Sequence, residues 1–244
     1  MSEQRFTSLH PTADLPQLMA VLGAKRKPTN GLTPQQGWYS IKNVSEAVTE
    51  IYVYDEIGYY GVTANDFIRD LRDVKAKNIT LRINSPGGDV FDGVAIYNAI
   101  RRHSAEVTVH VDGIAASAAS FIAMAGDRVV MAPHSQMMIH EASGLCIGPS
   151  ADMRQMADIL DKSSDNIAAI YAEKAGGTVE EWRGRMKEET WLSDQEACDL
   201  GLADCIDGQE PKAKAPEIVN QTPEPIDFAR LINEQIREAA ETFA

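Results

Sequence analysis

Short runs of β-branched and apolar residues alternate along this chain with stretches whose apolar residues recur at helical spacing. Ile51, Val53 and Ile57, with interleaved tyrosines, read as a strand. Thr63–Val74 follows as a helix, with Thr63 and Asp66 spaced like a capping box and Phe67, Ile68 and Leu71 on one face. The same rhythm predicts a strand at Ile79–Ile83, a helix over Val90–His103 and a strand at Val107–Val111. A short, almost wholly apolar helix follows over Ser117–Ala125, and such a helix must be buried. Val129–Met131 and Met137–His140 read as short strands. This alternation implies α/β layers joined by crossover connections.

Three further helices follow. The longest runs from Ser150 to about Lys174, with Met153, Met156, Ile159, Leu160, Ile167, Ile170 and Tyr171 on its apolar side. Thr178 with Glu181, and Ser193 with Glu196, box the starts of two shorter ones, and Gly201 ends the second. Leu202–Ile206 reads as a closing strand. Residues 1–37, punctuated by Pro11, Pro16, Pro28, Pro34 and an Asn30-Gly31 turn, read as a poorly ordered arm before a main domain at 38–207. Residues 208–225 have the composition of a linker, and 226–244 carry an amphipathic helical pattern.

The chain has 244 residues, 44% of them apolar, and suits one sizeable α/β domain with appendages. A net charge of −13 argues against nucleic acid, whose phosphates select clustered Lys and Arg. Cys146, Cys198 and Cys205 have no metal-ligand spacing and read as buried small residues in a reducing compartment. No secretory signal or membrane-spanning run stands out, so a cytoplasmic protein that does not bind membranes is expected.

Chemistry concentrates at three places. Gly113-Ile114-Ala115-Ala116-Ser117 puts a serine at a strand-to-helix junction among small residues that admit a substrate backbone. The ordinary role of such a serine is a helix N-cap; the alternative is a nucleophile held where free N–H groups favour negative charge. Ser120, one turn on, reads as packing. Asn84-Ser85-Pro86-Gly87-Gly88 ends a strand in two glycines, either for a tight turn or to expose N–H groups and an edge to an extended peptide. His140 closes the apolar run Met138-Ile139-His140. Nucleophile, backbone donors and base are the parts of an acyl-transfer site. The remaining histidines, His10, His103, His110 and His134, have no such context. The G-x-S-x-G elbow of α/β-hydrolases is absent, as is the G-x-x-x-x-G-K-[ST] loop of ATPases.

The order and spacing of these motifs, with Glu189-Thr190-Trp191 and Gly201-Leu202-Ala203-Asp204 downstream, resemble the proteolytic subunit of the Clp proteases. They look closest to the ClpP-like proteases of phages and prophages. The resemblance covers about Ile51–Ile206 and implies an α/β, ClpP/crotonase-like layered fold with repeated β-β-α units and a protruding handle helix at 150–174. Cys146-Ile147-Gly148 would lie in an adjoining strand and turn.

In that family the serine of the G-x-A-A-S motif, here Ser117, is the nucleophile and the histidine of M-I-H, here His140, is the base. The N–H groups of Gly88 and Ala118 would form the oxyanion hole. The family generally has Asp where this chain has Glu189, counted back from Leu192-Ser193, and Glu188 and Asp194 are the neighbouring acids. The resemblance further implies a serine endopeptidase acting on proteins or peptides, assembled as a homo-oligomeric, stacked ring, without metal or organic cofactor. A separate Clp ATPase, or capsid and scaffold proteins in phage head maturation, would be partners. A crotonase-like acyl-CoA enzyme and a catalytically silent structural subunit are the alternatives from other classes.

Overall fold

A computed structural model describes residues 39–209. The arm at 1–37, most of the linker and the helix expected at 226–244 lie outside the described residues. The order is β1 (Tyr39–Asn43), β2 (Val48–Val53), α1 (Ala64–Asp73), β3 (Asn78–Ser85), α2 (Val90–Arg101), β4 (Glu106–Ala116), α3 (Ala118–Ala123), β5 (Arg128–Met131) and β6 (Gln136–Ile139). Then come α4 (Ser150–Ala175), α5 (Val179–Lys187), β7 (Thr190–Ser193), α6 (Asp194–Asp199) and β8 (Cys205–Ile206). The eight strands share one sheet in the order β1-β2-β3-β4-β5-β8. β6 branches from β4 and carries β7. β2 through β5, and β8, run parallel; β1 and β7 pair antiparallel with their neighbours.

Period-two burial on the strands sets the layers. Ile79, Leu81 and Ile83 on β3 and Val107, Val109 and Val111 on β4 are buried, while Arg82 and His110 between them are only half-buried. Against the buried face pack Phe67 and Leu71 of α1, Ile96 and Ile100 of α2, and Phe121 and Ile122 of α3. The helix starts follow side-chain chemistry. Thr63 accepts a hydrogen bond from the Asp66 N–H at 3.2 Å, and Thr178–Glu181 and Ser193–Glu196 form complete capping boxes.

Two features of the sheet position the site. The pairing of β3 with β4 slips between Ile83↔Val111 and Ser85↔Ala115, so β4 holds two extra residues there. Asn84 spans the irregularity by accepting the Ile114 N–H at 3.2 Å. On the far side of it β4 exchanges β5 for β6: Thr108–Val111 pair with β5, Ile114–Ala116 with β6. The ends of β4 and β6 therefore lie side by side.

The long helix α4 divides in two. Its buried residues, Ser164, Ile167, Ala168 and Tyr171, all lie in the second half, and no residue before Ser164 is buried. At 26 residues it is about 39 Å long at 1.5 Å per residue, so the outer half forms the protruding handle.

The structure corrects several details. Cys146-Ile147-Gly148 lie in no strand: residues 141–149 are irregular, because β6 ends at Ile139 where its ladder with β7 ends at Thr190. Ile57 is not part of β2, which stops at Val53; it makes isolated bridges to Val62 and Gly88 instead. Cys205 is buried, whereas Cys146 and Cys198 are half-buried. β1 and β7 had no counterpart in the sequence pattern. Among the described residues, no helix is long and apolar enough to cross a membrane, and no His/Cys/Asp/Glu group could hold a metal ion.

Candidate active site

Ser117 follows the last residue of β4 and precedes α3. It occupies the N-cap position, yet its hydroxyl makes no capping bond. Its backbone lies at φ 53°, ψ −122°, a region that side-chain-bearing residues hold only when their surroundings over-determine it. Those surroundings are visible. The Ser117 N–H donates to Met138 O on β6 at 2.9 Å, and Ser117 O accepts from the Ser120 N–H at 3.0 Å. The turn thus swings the hydroxyl away from the helix and toward the end of β6, where His140 follows Ile139. His140 Nε2 lies 2.7 Å from Ser117 Oγ. Both residues are half-buried, open enough for a substrate and sheltered enough to strengthen a polar contact.

The segment after His140 is tied down on two sides. The Glu141 N–H donates to Met186 O at 3.2 Å, and the Ala142 N–H donates to Ser164 Oγ at 2.9 Å. The Arg183 guanidinium, 13% exposed, lies 2.7 Å from Glu141 and also pairs with Asp161 and Asp165 of α4. The strand end that carries His140 is therefore braced against both α4 and α5.

Gly87 and Gly88 form the facing wall. Ser85 Oγ accepts the Gly87 N–H at 3.1 Å and shapes the turn. The Ile57 N–H donates to Gly87 O and the Asp89 N–H to Ile57 O, both at 2.8 Å. That parallel-bridge pattern turns the Gly88 N–H to the opposite side, where it makes no protein hydrogen bond among the described residues. Gly88 and Ser117 line one cleft together with His140, Glu141, Phe121 and Tyr171. The lining from α4, Ile167 and Tyr171, had been legible only as part of an apolar stripe.

Glu189 stands in the register position beside the histidine. Ile139 pairs with Thr190 in the antiparallel β6–β7 ladder, so His140 and Glu189 are each one residue beyond the same end. Glu189 has φ 48° and is one of three non-glycine residues with positive φ among the described residues, with Ser117 and His134. Its carboxylate is exposed and accepts from the Trp191 indole N–H at 3.2 Å, with no hydrogen bond to His140. The other acids are placed elsewhere. Glu188 is exposed at the C-cap of α5, and Asp194 accepts the His134 N–H at 2.9 Å. Ser120 is wholly buried and hydrogen-bonded, not merely packed.

Residues 35–210 match the model of the Clp protease family, described as "Clp protease". The chain belongs to the Clp protease family. It is a serine-type peptidase by that membership, which displaces the crotonase-like alternative. Clp relatives are similar to more than half of the chain. An "ATP-dependent Clp protease proteolytic subunit" of Chlorella vulgaris is 35% identical over 132 residues, 53% of this chain and 66% of that protein. "ATP-dependent Clp protease proteolytic subunit 1" of Prochlorococcus marinus is 30% identical over 155 residues, 61% of this chain and 79% of that protein. "ATP-dependent Clp protease proteolytic subunit 2" of Rhodococcus jostii is 28% identical over 175 residues, covering 67% and 90% respectively.

Proposed function

We propose that this Clp-family peptidase cleaves peptide bonds through Ser117, with His140 as its base and Glu189 as the orienting acid. The observation that carries the reading is the 2.7 Å contact between His140 Nε2 and Ser117 Oγ. With Nε2 unprotonated, the imidazole accepts the hydroxyl proton as Oγ attacks the scissile carbonyl carbon. The carbonyl oxygen becomes an oxyanion and takes hydrogen bonds from the Gly88 and Ala118 N–H groups. Collapse expels the amine, which leaves with the proton from Nε2. Water, deprotonated by His140, then hydrolyses the ester on Ser117 and restores the hydroxyl. The imidazolium that forms twice in the cycle needs a nearby carboxylate; we assign that role to Glu189, which must turn from the Trp191 indole to meet Nδ1.

The substrate lies extended against the Gly87–Gly88 edge, backbone to backbone, so recognition is of peptide rather than of one side chain. The working form is a homo-oligomeric ring, stacked through the handle. Its role is phage or prophage head maturation, acting on capsid and scaffold proteins, with 226–244 as a docking segment. Support comes from the resemblance of the sequence motifs to phage and prophage ClpP-like proteases. The names of the relatives favour a second role, general turnover with a separate Clp ATPase. Purified protein given a scaffold-type substrate without ATP separates the two: cleavage is expected for the first role, and dependence on an added unfoldase and ATP would reverse the assignment. Loss of peptide hydrolysis in Ser117→Ala, with folding retained, tests the mechanism under either role.

A further inference from the structure

Ser120 and Tyr171 lie behind the nucleophile, and their hydrogen bonds have a direction. Ser120 Oγ donates to Ser117 O at 2.5 Å and lies 2.7 Å from Tyr171 Oη. A serine hydroxyl has one proton, and a carbonyl can only accept. The Ser120 proton therefore goes to Ser117 O, and Tyr171 must be the donor to Ser120. Tyr171 is fit for this. It is 1% exposed, and burial pushes its phenol far above the ordinary range, so it keeps its proton at any working pH.

The carbonyl that receives this chain belongs to the same peptide unit as the Ala118 N–H. That unit is planar and trans, so its C=O and N–H point in opposite directions. Whatever fixes Ser117 O fixes the aim of the Ala118 N–H. Ser117 O is held by the Ser120 N–H and the Ser120 hydroxyl together, on the interior side of the turn. The Ala118 N–H is thereby directed outward, past the serine side chain. The φ of 53° at Ser117 makes this restraint necessary, because the peptide unit would otherwise relax toward a common conformation.

We propose that Ser120 and Tyr171 are positioning residues that aim the Ala118 N–H at the oxyanion, through the relay Tyr171 O–H to Ser120 O–H to Ser117 C=O. The proposal rests on the reading of Ser117 as nucleophile. It adds two residues that touch no reacting atom and joins the packed half of α4 to the oxyanion site.

The test compares Ser120→Ala, Tyr171→Phe and the double variant by kcat and KM on a fluorogenic peptide, with active sites counted by fluorophosphonate titration. Loss of a whole oxyanion donor lowers kcat by about 10²–10³-fold, so a misaimed one should lower it by roughly 10-fold or more in Ser120→Ala. Tyr171→Phe, which keeps the ring and the bond from Ser120 to Ser117 O but removes the phenol's own bond to Ser120, should lose less, about 3-fold. KM should stay unchanged, since the contact exists only in the transition state. The double variant should be no worse than Ser120→Ala alone, because the two groups act in series. An unchanged kcat per titrated site in both single variants would overturn the proposal. So would a fall in the number of titratable sites with a normal rate at each, which is the signature of a packing role. Ser117→Ala, run alongside, separates the two levels: if it still reacts with the fluorophosphonate, the nucleophile assignment fails; if it does not, any failure belongs to the relay alone.

Discussion

Gly87 and Ser117 stand so close that a Cβ on Gly87 would lie 2.7 Å from Ser117 Cβ. The same atom would meet Ala116 O at 2.5 Å and Ala118 N at 2.7 Å. The turn after β3 and the turn after β4 thus meet backbone to backbone, and neither is free to retreat. Gly87→Ala should therefore damage both stability and catalysis. Its φ of 90° alone makes a side chain cost of order 1–3 kcal/mol, before the overlap is counted. A shift of the nucleophile by an ångström lowers rate by about 10²-fold. Thermal melting and fluorophosphonate labelling should fall together; a variant that melts normally and labels at full rate would contradict this packing.

Glu189 and His140 extend beyond the same end of the β6–β7 ladder. On the proposed triad, Glu189→Gln keeps the shape and the Trp191 contact but removes the charge assigned to hold the imidazolium. A loss in kcat of at least ~10²-fold is expected, with the melting temperature unchanged, as for loss of a triad orienter in general. Steady-state kinetics decides it. A silent Glu189→Gln beside an impaired Glu188→Gln would move the acid by one residue.

The outer half of α4 exposes Met153 at 43% and Ile159 at 40%, with Leu145 and Ile147, both at 56%, on the segment leading into it. Large apolar groups gathered on a protruding element suit an interface between subunits. Met153→Asp with Ile159→Asp should lower the assembly state seen by light scattering without altering helix content by circular dichroism. An unchanged mass, well above that of one chain, would place the contacts elsewhere.

His110 gives a pH dependence. Burial, then the Arg82 charge, lower its pKa, against opposing effects of Asp207 and Asp112, with Arg128 the least of the charges that lower it. The folded protein therefore prefers the neutral ring. Its contribution is present above the unfolded value of about 6.5 and is lost as pH falls toward the lower folded value. His110→Gln should flatten the decline in melting temperature between neutral pH and about pH 5; an identical decline in the variant would exclude His110 as its source.

Much of the fold was legible because its elements announce themselves locally. Thr178–Glu181 and Ser193–Glu196 marked helix starts from four residues each, and both boxes are complete. The strands of the parallel core were readable from β-branched runs. What escaped depends on partners distant in sequence. β7 is four residues long and exists because β6 pairs with it, and β1 carries no strong apolar alternation. The strand at Cys146–Gly148 was implied by the family resemblance alone, and among the described residues these positions form none.

At the site, Ser117, His140, Gly88 and Glu189 stood out by motif order and family resemblance, and in the structure His140 Nε2 lies 2.7 Å from Ser117 Oγ. Ser120 and Tyr171 did not stand out, because 51 residues separate them and only the fold aligns their hydroxyls. A tyrosine in an otherwise apolar stripe was the one available sign, since a buried phenol needs a partner.

The most direct test of the central claim is to react the full chain with a fluorophosphonate and locate the adduct by peptide mapping in a mass spectrometer. A single adduct on Ser117, absent from Ser117→Ala and accompanied by loss of peptide hydrolysis, is the expected result. An adduct on Ser120 or any other serine, or undiminished hydrolysis by Ser117→Ala, would contradict the assignment of Ser117 as nucleophile.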